Sequence, residues 1–164
     1  MDIKLRERIL KNLEHNARID LHDLSIMLDI SEVDIVNEIN KMEEEKIICG
    51  YHTLINWDNT GKEIVSALIE VKVSPQRGIG FDNLAERIAR FDEVNSIYLM
   101  SGGFDFMVLI EGKSMKEVSR FVFEKLSALD SVLSTSTHFV LKKYKDHGVL
   151  LIDKKKDERM LVSA

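Results

Sequence analysis

Apolar residues recur at three- and four-residue spacing through the first 45 positions, which is the pattern of amphipathic helices. The positions that carry it fall into three groups: Leu5, Ile9, Leu10 and Leu13; Leu21, Leu24 and Leu28; Ile35, Ile39 and Met42. The first group predicts a helix from Lys4 to about His15. Asp20 is placed to cap the second helix, and Ser31 with Asp34 resembles the capping box of a third. The three helices are predicted to pack into one small module.

The connection between the second and third predicted helices is as short as in a helix-turn-helix, which lays the N-terminal turns of its second helix in the DNA major groove. The residues that follow, Ile47 to Ile55, are typical of a strand entered from a helix end and predict a winged form of this motif. A three-helix bundle of other function remains the alternative for the helical pattern alone. A turn-rich stretch, Asn56 to Gly61, leads onward.

The second half of the chain predicts strands and helices in the order βαββαβ. The predicted strands are Ile64 to Val73, Val94 to Met100, Phe104 to Glu111 and Leu133 to Tyr144. The helices between them are marked by Leu84, Ile88 and Phe91 in one case and span Met115 to Leu129 in the other. This is the order of a ferredoxin-like α+β fold. Its sheet carries helices on one face only, so a homodimer through the other face is the simple way to cover it.

These patterns divide the chain into four parts. Residues 1–56 form the predicted winged helix-turn-helix, 57–63 a hinge, 64–145 the βαββαβ domain and 146–164 a C-terminal tail. Pro75 ends the first strand, and a loop from Gln76 to Gly80 follows it. The tail carries the basic stretch Lys154 to Lys156 and the apolar stretch Met160 to Val162, and it is expected to add a strand or an arm to a neighbour.

Composition narrows the class of protein. The single cysteine, Cys49, excludes an intrachain disulfide and a multi-cysteine zinc site, and the five histidines lack metal-ligand spacing. No apolar run approaches the length of a membrane span, and the start of the chain lacks a signal peptide, so we expect a cytoplasmic protein without membrane contact. The chain also has no nucleophile elbow and no Walker loop, and Gly78 and Gly80 form only part of a dinucleotide loop. We therefore predict neither enzyme activity nor a cofactor.

Together the features resemble one family. The Gly-Gly-Phe-Asp hairpin that begins at Gly102, the pattern Ile47-Ile48 to Tyr51 and the run from Val132 to Lys142 are similar to those of the Lrp/AsnC (feast/famine) transcriptional regulators. The likeness covers about residues 3 to 145. It implies a regulator that binds double-stranded DNA, forms homodimers and higher homo-oligomers (tetramers or octamers), and responds to an amino acid or related metabolite bound between dimers near the hairpin.

The residues of the hairpin suit that effector. Gly102 and Gly103 leave backbone N–H groups accessible to a carboxylate, and Asp105 supplies a charge for an α-amino group. Further hydroxyl groups that can orient polar atoms of the effector are those of Ser101, Thr135 and Thr137. In the alternative interpretation the glycines only make a tight turn, which Asp105 caps.

The third helix departs from the family, which usually places arginine and lysine there. Its predicted outward residues are Glu32, Asp34, Asn37, Glu38, Asn40, Lys41 and Glu43 to Glu45, and residues 1 to 60 carry a net charge of −6, with 7 basic against 13 acidic residues. Base reading remains open to Asn37 or Asn40 on adenine and to Glu38 on cytosine. The residues expected at the DNA are therefore Arg18, Ser31, Glu32, Asp34, Asn37, Glu38, Asn40 and Lys41. Phosphate contacts are expected from a subset of Lys4, Arg6, Arg8, Lys11, Arg18 and Lys46.

Two alternatives to a DNA-binding regulator remain. In the first, which the acidic third helix favours, the helix-turn-helix has lost DNA binding and the protein is a metabolite-sensing or partner-binding module. In the second, the chain is an enzyme on the same scaffold, similar to the siroheme decarboxylases. The enzyme would need basic and histidine side chains for an anionic tetrapyrrole, and the second half offers only His138 and His147.

Overall fold

The computed structural model of the chain describes residues 3–74 and 80–152. The chain divides into two compact units, Met1–Leu54 and Ile55–Ala164. No helix within these ranges is long and apolar enough to cross a bilayer. The predictions made for Pro75, for the loop as far as Ile79 and for the tail beyond Ile152 lie outside the described residues.

The first unit consists of three helices, as the apolar pattern predicts. They are α1 (Ile3–His15), α2 (Leu21–Leu28) and α3 (Glu32–Glu44). The Asp20 carboxylate accepts the backbone N–H of His22 at 2.8 Å, and so caps α2. The core of the unit is formed by the buried side chains of Ile9, Leu24, Leu28, Ile35 and Met42. These are members of the three predicted apolar groups, so burial of one stripe per helix holds the unit together.

The strand predicted from Ile47 to Ile55 is wrong for this chain: residues 49–56 form neither helix nor strand. After α3 the chain turns through Lys46, whose φ is 59°, and the N–H groups of Ile47 and Ile48 both donate to the Met42 carbonyl. A strand needs a second extended segment to pair its backbone groups, and the described residues of the first unit supply none. The β-propensity of the segment alone therefore does not make a strand.

The second unit contains a four-stranded antiparallel sheet in the order β2-β3-β1-β4. Its strands are β1 (Val65–Val73), β2 (Val94–Leu99), β3 (Phe106–Gly112) and β4 (Val132–Phe139). Its helices are α4 (Phe81–Ala89) and α5 (Met115–Phe121), and α5 continues as a π-helical turn over Val122–Leu126. This arrangement confirms the ferredoxin-like α+β prediction. A short 3₁₀ turn (Trp57–Thr60) precedes β1, and a small hairpin of β5 (Lys145–Asp146) and β6 (Val149–Leu150) follows β4.

The sheet has one covered and one open face. On β1 the alternate residues Ala67, Ile69, Val71 and Val73 are buried, and they pack in one cluster with Ile88, Val118 and Leu126 from the helical segments. The intervening residues Leu68 and Glu70 face the other way, because successive side chains of a strand point to opposite faces. On that face Leu68 pairs with Leu109 and Glu70 with Met107 across β1 and β3.

Candidate functional sites

One stripe of the exposed surface of α3 carries few carboxylates, although Glu32 and Asp34 are exposed beside it. Val33, Asn37, Asn40, Lys41 and Glu44 are exposed there, and Val33 retains 68% of its accessible surface. At 3.6 residues per turn, Val33, Asn37, Asn40 and Glu44 fall within one narrow stripe along the helix. Two amides and an apolar group therefore occupy most of this stripe.

Ser31 and Asp34 are engaged with each other at the start of α3. The Ser31 hydroxyl accepts the backbone N–H of Asp34 at 3.2 Å and donates to the Asp34 carboxylate at 2.7 Å. This confirms the predicted cap and fixes the point at which α3 begins. Both side chains are exposed and therefore accessible to DNA. Their contacts with DNA remain predictions.

Glu38 requires a correction, because it does not face outward. Its side chain is only 1% exposed, and its carboxylate contacts the Arg6 guanidinium of α1 at 2.5 Å. The same guanidinium makes two further bonds, at 2.6 and 3.1 Å, with the Glu45 carboxylate. Glu38 therefore cannot accept from a cytosine, and Arg6 is occupied rather than available to a phosphate. The helix pattern could not reveal this, because a carboxylate becomes a core residue only where a cation on another helix meets it.

Most of the other carboxylates of α3 also have partners within the chain. Glu32 contacts the His22 ring at 2.9 Å, and Glu43 accepts the Tyr51 hydroxyl at 2.8 Å. Hydrogen bonding to Glu32 raises the pKa of His22 above its usual value, and hydrogen bonding to Arg6 lowers the pKa of Glu45. Among the described residues Glu44 has no such partner. Arg6 brings a permanent positive charge to Glu38 and Glu45, whereas the Tyr51 hydroxyl leaves the negative charge of Glu43 in place. The exposed carboxylates of α3 therefore still repel a phosphate backbone, and the module keeps its net charge of −6.

The remaining predicted phosphate contacts are exposed. Arg18 lies in the turn after α1, where its backbone N–H donates to the Asn16 side chain at 3.0 Å. Arg8 reaches the Met27 carbonyl at 3.4 Å, and Lys11 and Lys46 are also exposed. Their side chains are accessible, and their role at DNA stays a prediction.

The predicted effector residues fall into two groups on either side of β1. Ser101, Gly102 and Gly103 form the exposed tip of the β2–β3 hairpin, and Gly102 has a φ of 141°. At the base of the hairpin the Asp105 carboxylate accepts the Val73 N–H at 2.8 Å, and the Asp105 N–H donates to the Val71 carbonyl at 3.0 Å. Asp105 therefore joins the hairpin to the end of β1 while remaining half-exposed.

Thr135 and Thr137 lie on β4, along the opposite edge of β1. They pair with Val71 and Ile69, so both threonines share the helix-covered side of the sheet with those buried residues. The Thr135 hydroxyl lies 3.4 Å from that of Ser127. Adjacent strands are about 4.8 Å apart, so β1 separates the threonines from Asp105 by two strand spacings, about 10 Å. One chain therefore brings Thr135 and Asp105 to the same end of the sheet but on opposite edges of β1.

Two cavities are lined by other residues. One of about 450 Å³ lies in the first unit between α1 and residues 47–52, and one of about 100 Å³ lies in the second unit beside Trp57, Glu111 and Lys143. Within the described ranges no three His, Cys, Asp or Glu side chains converge as metal ligands.

Val33 and the pairing of Arg6 are two functional candidates that the sequence pattern did not predict. Val33 departs from the buried stripe of α3, which is the signal that identifies an outward apolar group on a helix. The Arg6 contact has no comparable signal, since it joins residues 32 and 39 positions apart.

Comparison with known proteins agrees with this architecture. A family model described as the Lrp/AsnC ligand binding domain matches residues 66–150. The uncharacterised HTH-type transcriptional regulator YugG of Bacillus subtilis is 49% identical, covering 98% of this chain and 99% of that protein. The proline dehydrogenase transcriptional activator of Rhodobacter capsulatus is 29% identical over 82% of this chain and 87% of its own.

A transcriptional regulator of Neisseria meningitidis, solved in complex with L-methionine, has the same fold. Its TM-score is 0.70 at 22% identity, with 89% of this chain and 94% of that chain covered. The proteins to which this chain is similar are regulators of transcription, which confirms the prediction that it is not an enzyme.

Proposed function

The chain belongs to the Lrp/AsnC family of transcriptional regulators, and on that premise we propose that it binds operator DNA in response to an amino acid or related small metabolite. We propose further that it acts in the cytoplasm, as a dimer or an assembly of dimers. The observation that carries the DNA-binding proposal is the exposed stripe of α3, presented by a helix-turn-helix whose two caps and core are fully formed.

The composition of that stripe favours A·T base pairs. Asparagine pairs its amide with the N6 and N7 atoms of adenine, and an apolar group contacts the thymine methyl group. Asn37 and Asn40 supply the amides, and Val33, in the first turn of α3, supplies the apolar contact. Since Glu38 is buried, the chain loses the cytosine contact that the sequence predicts. Each good base contact contributes roughly 1 to 3 kcal/mol of discrimination.

Weak phosphate attraction makes assembly important for this function. With a net charge of −6 in residues 1 to 60, a single head has few cations with which to release counterions from DNA. Two heads held on one DNA bind far better than one, because the second contact becomes intramolecular. A dimer formed through the open face of the sheet would supply the second head.

The effector proposal rests on the hairpin and its surroundings. The N–H groups of Gly102 and Gly103 suit a carboxylate, the half-exposed Asp105 suits an ammonium group, and Thr135 lies at the same end of the sheet. The complex of the Neisseria regulator with L-methionine supports an α-amino acid as the ligand class. Since one chain leaves the residues in two groups, we propose that a second copy completes the pocket.

Binding of DNA is tested by fluorescence anisotropy with DNA from upstream of the protein's own gene, compared with a scrambled duplex of equal length. We expect preferential binding that weakens in the double variant Asn37→Ala/Asn40→Ala. Equal affinity for both duplexes at low salt, with and without amino acids, would contradict the proposal. It would favour the second candidate function, a metabolite-sensing or partner-binding module, which the net acidity of the first unit supports.

Binding of the effector is tested by thermal-shift screening against amino acids, because a ligand that binds only the folded state raises its melting temperature. The informative variant is Asp105→Asn, which removes the charge but keeps an oxygen that can accept the Val73 N–H. We expect it to lose the ligand-dependent shift while its ligand-free melting temperature stays close to that of the wild type. A ligand-dependent rise in the melting temperature of Asp105→Asn equal to that of the wild type would show that Asp105 does not bind the effector.

A further inference from the structure

We propose that Arg6 is a positioning residue for DNA recognition, which sets the orientation of α3 by clamping Glu38 and Glu45 to α1 and makes no phosphate contact of its own. This inference rests on the proposed DNA-binding function and deepens it.

The clamp has two arms that hold separate points of α3. The Arg6 Nε contacts the Glu38 carboxylate in the middle of the helix, while Nη1 and Nη2 bond the two oxygens of Glu45 just beyond its last turn. Glu38 and Glu45 are seven residues apart, which is about two turns. A single planar guanidinium therefore fixes both the rotation of α3 and the approach of its C-terminal end to α1.

Burial makes the contact of Arg6 with Glu38 stronger than its contact with Glu45. Glu38 is 1% exposed, whereas Arg6 is 27% exposed and Glu45 48% exposed. A carboxylate without water depends on its cation, because a buried charge that loses its partner is strongly unfavourable. The outer pair is accessible to solvent and is correspondingly weaker. Glu38 is thus the point at which a change in Arg6 is felt by α3.

The geometry connects that point to the stripe that is proposed to read DNA. Successive residues of a helix are about 100° apart, so Asn40 lies on the side of α3 almost opposite Glu38. Val33 and Asn37 precede Asn40 on the same exposed side of the helix. When the buried side of the helix shifts, the exposed amides move relative to the base edges, which require close hydrogen-bond geometry.

Arg6 is poorly placed to act as a phosphate contact instead. Nε, Nη1 and Nη2 all have carboxylate partners, and these two carboxylates hold the pKa of Arg6 above its usual range. Its contribution to DNA binding is therefore expected to pass through α3. This gives a distinction that can be measured, because loss of a phosphate contact weakens all sequences alike, whereas a displaced reading helix loses discrimination.

The test uses the full chain and measures anisotropy with the upstream duplex and the scrambled duplex over a range of salt concentrations. We expect Arg6→Gln to lower affinity for the preferred duplex about tenfold or more, to lower that for the scrambled duplex less than about threefold, and to leave the salt slope unchanged. Lys11→Gln, which removes one positive charge from an exposed position of the same helix, should leave the ratio of the two affinities unchanged. Equal losses on both duplexes with a slope shallower by about 0.9 would show a phosphate contact and overturn the proposal.

A double-mutant cycle tests whether Arg6 acts through Glu38. Glu38→Gln should reproduce the loss of discrimination. The double variant Arg6→Gln/Glu38→Gln should be no worse than Arg6→Gln alone, because both single changes break the same contact between Arg6 and Glu38. Glu7→Gln, an equal change of charge at an exposed position of α1, serves as the control and should not reduce discrimination. Additive losses in the cycle would overturn the clamp.

Two further measurements keep the outcomes separable. If Arg6→Gln does not fold, Arg6→Lys keeps a charge beside Glu38 without the two-point bond to Glu45, and it should show an intermediate loss of discrimination; discrimination equal to that of the wild type would contradict the clamp. If the wild type shows no sequence preference, the proposed function fails. The clamp is then tested without DNA, by the rate of hydrogen exchange at the backbone amides of α3. Faster exchange in Arg6→Gln and Glu38→Gln supports it, and unchanged exchange overturns it.

Discussion

At the scale of single residues, partners decide which charges of this protein face solvent. Glu38 and Glu44 have the same side chain on the same helix, yet one is buried against Arg6 and the other is exposed. Asp105 likewise combines a structural bond to Val73 with partial exposure near the hairpin tip. Roles at this scale are therefore separated by substitutions that change charge or conformation alone.

The two glycines of the hairpin offer a matched pair for backbone conformation. Gly102 has a φ of 141°, a conformation that L-residues avoid, whereas Gly103 has no such value and its missing Cβ would meet open space. We expect Gly102→Ala to lower the free energy of unfolding by roughly 1 to 3 kcal/mol, and Gly103→Ala to leave it unchanged or slightly raised. Urea unfolding measures both. Equal effects would show that the backbone at Gly102 is not under conformational constraint.

The ion pair between His22 and Glu32 predicts a pH effect. Hydrogen bonding to Glu32, with smaller contributions from Asp20 and Asp23, raises the pKa of His22 above its ordinary value. Since the folded pKa lies above the unfolded one, the stabilisation is fully present below the unfolded pKa and is lost as the pH rises through the folded pKa. NMR titration of His22 should give a lower pKa in Glu32→Gln than in the wild type. An unchanged pKa would contradict the pairing.

At the scale of elements, the segment after Ser114 shows how packing modifies a predicted helix. Val118, Val122 and Leu126 recur every four residues and are all buried. A regular α-helix has 3.6 residues per turn, so this spacing would rotate steadily away from the core. The helix instead widens into a π-helical turn over Val122–Leu126, which keeps the three side chains on one face. The predicted helix, Met115 to Leu129, is thus α-helical only as far as Phe121.

The start of α5 depends on a local cap. The Ser114 hydroxyl accepts the Glu117 N–H at 3.2 Å, and the Glu117 carboxylate accepts the Lys113 N–H at 2.6 Å. Ser114→Ala should lower the free energy of unfolding by about 1 kcal/mol, because an N-terminal amide loses its acceptor. Ser119→Ala, an exposed change within α5, is the control and should not destabilise the protein, since alanine favours helices. The denaturant midpoints of the two variants are compared at equal m-values. Equal midpoints would show that the Ser114 cap does not contribute to stability.

At the scale of the whole molecule, the open face of the sheet is the surface proposed to hold two copies together. Leu68 and Tyr98 are exposed on it, and Leu109 and Met107 lie between them on β3. An apolar face of this kind on an antiparallel sheet is stable in water only with sufficient polar neighbours or a partner.

A charge on this face should therefore prevent assembly. We expect Leu68→Glu to convert a dimer or larger assembly into monomers with an intact fold, because a carboxylate would be buried without a partner at the interface. Light scattering after size-exclusion chromatography measures the mass, and circular dichroism verifies the fold. Ile26→Glu, at an exposed apolar position of α2, is the matched control and should leave the mass unchanged. An assembly that survives Leu68→Glu uses another surface.

The sequence by itself determined whatever depends on local order and periodicity. The three N-terminal helices, their caps at Asp20 and Ser31 and the βαββαβ order follow from apolar spacing and short-range hydrogen bonds, which neighbouring residues specify. Only the tertiary structure decided what depends on partners distant in the chain. The burial of Glu38 against Arg6, the absence of a strand after α3 and the separation of Asp105 from Thr135 by β1 all result from residues brought together, or left unpaired, by folding. A side chain at fixed helical spacing faces a known direction, but its chemistry is set by the group that meets it there.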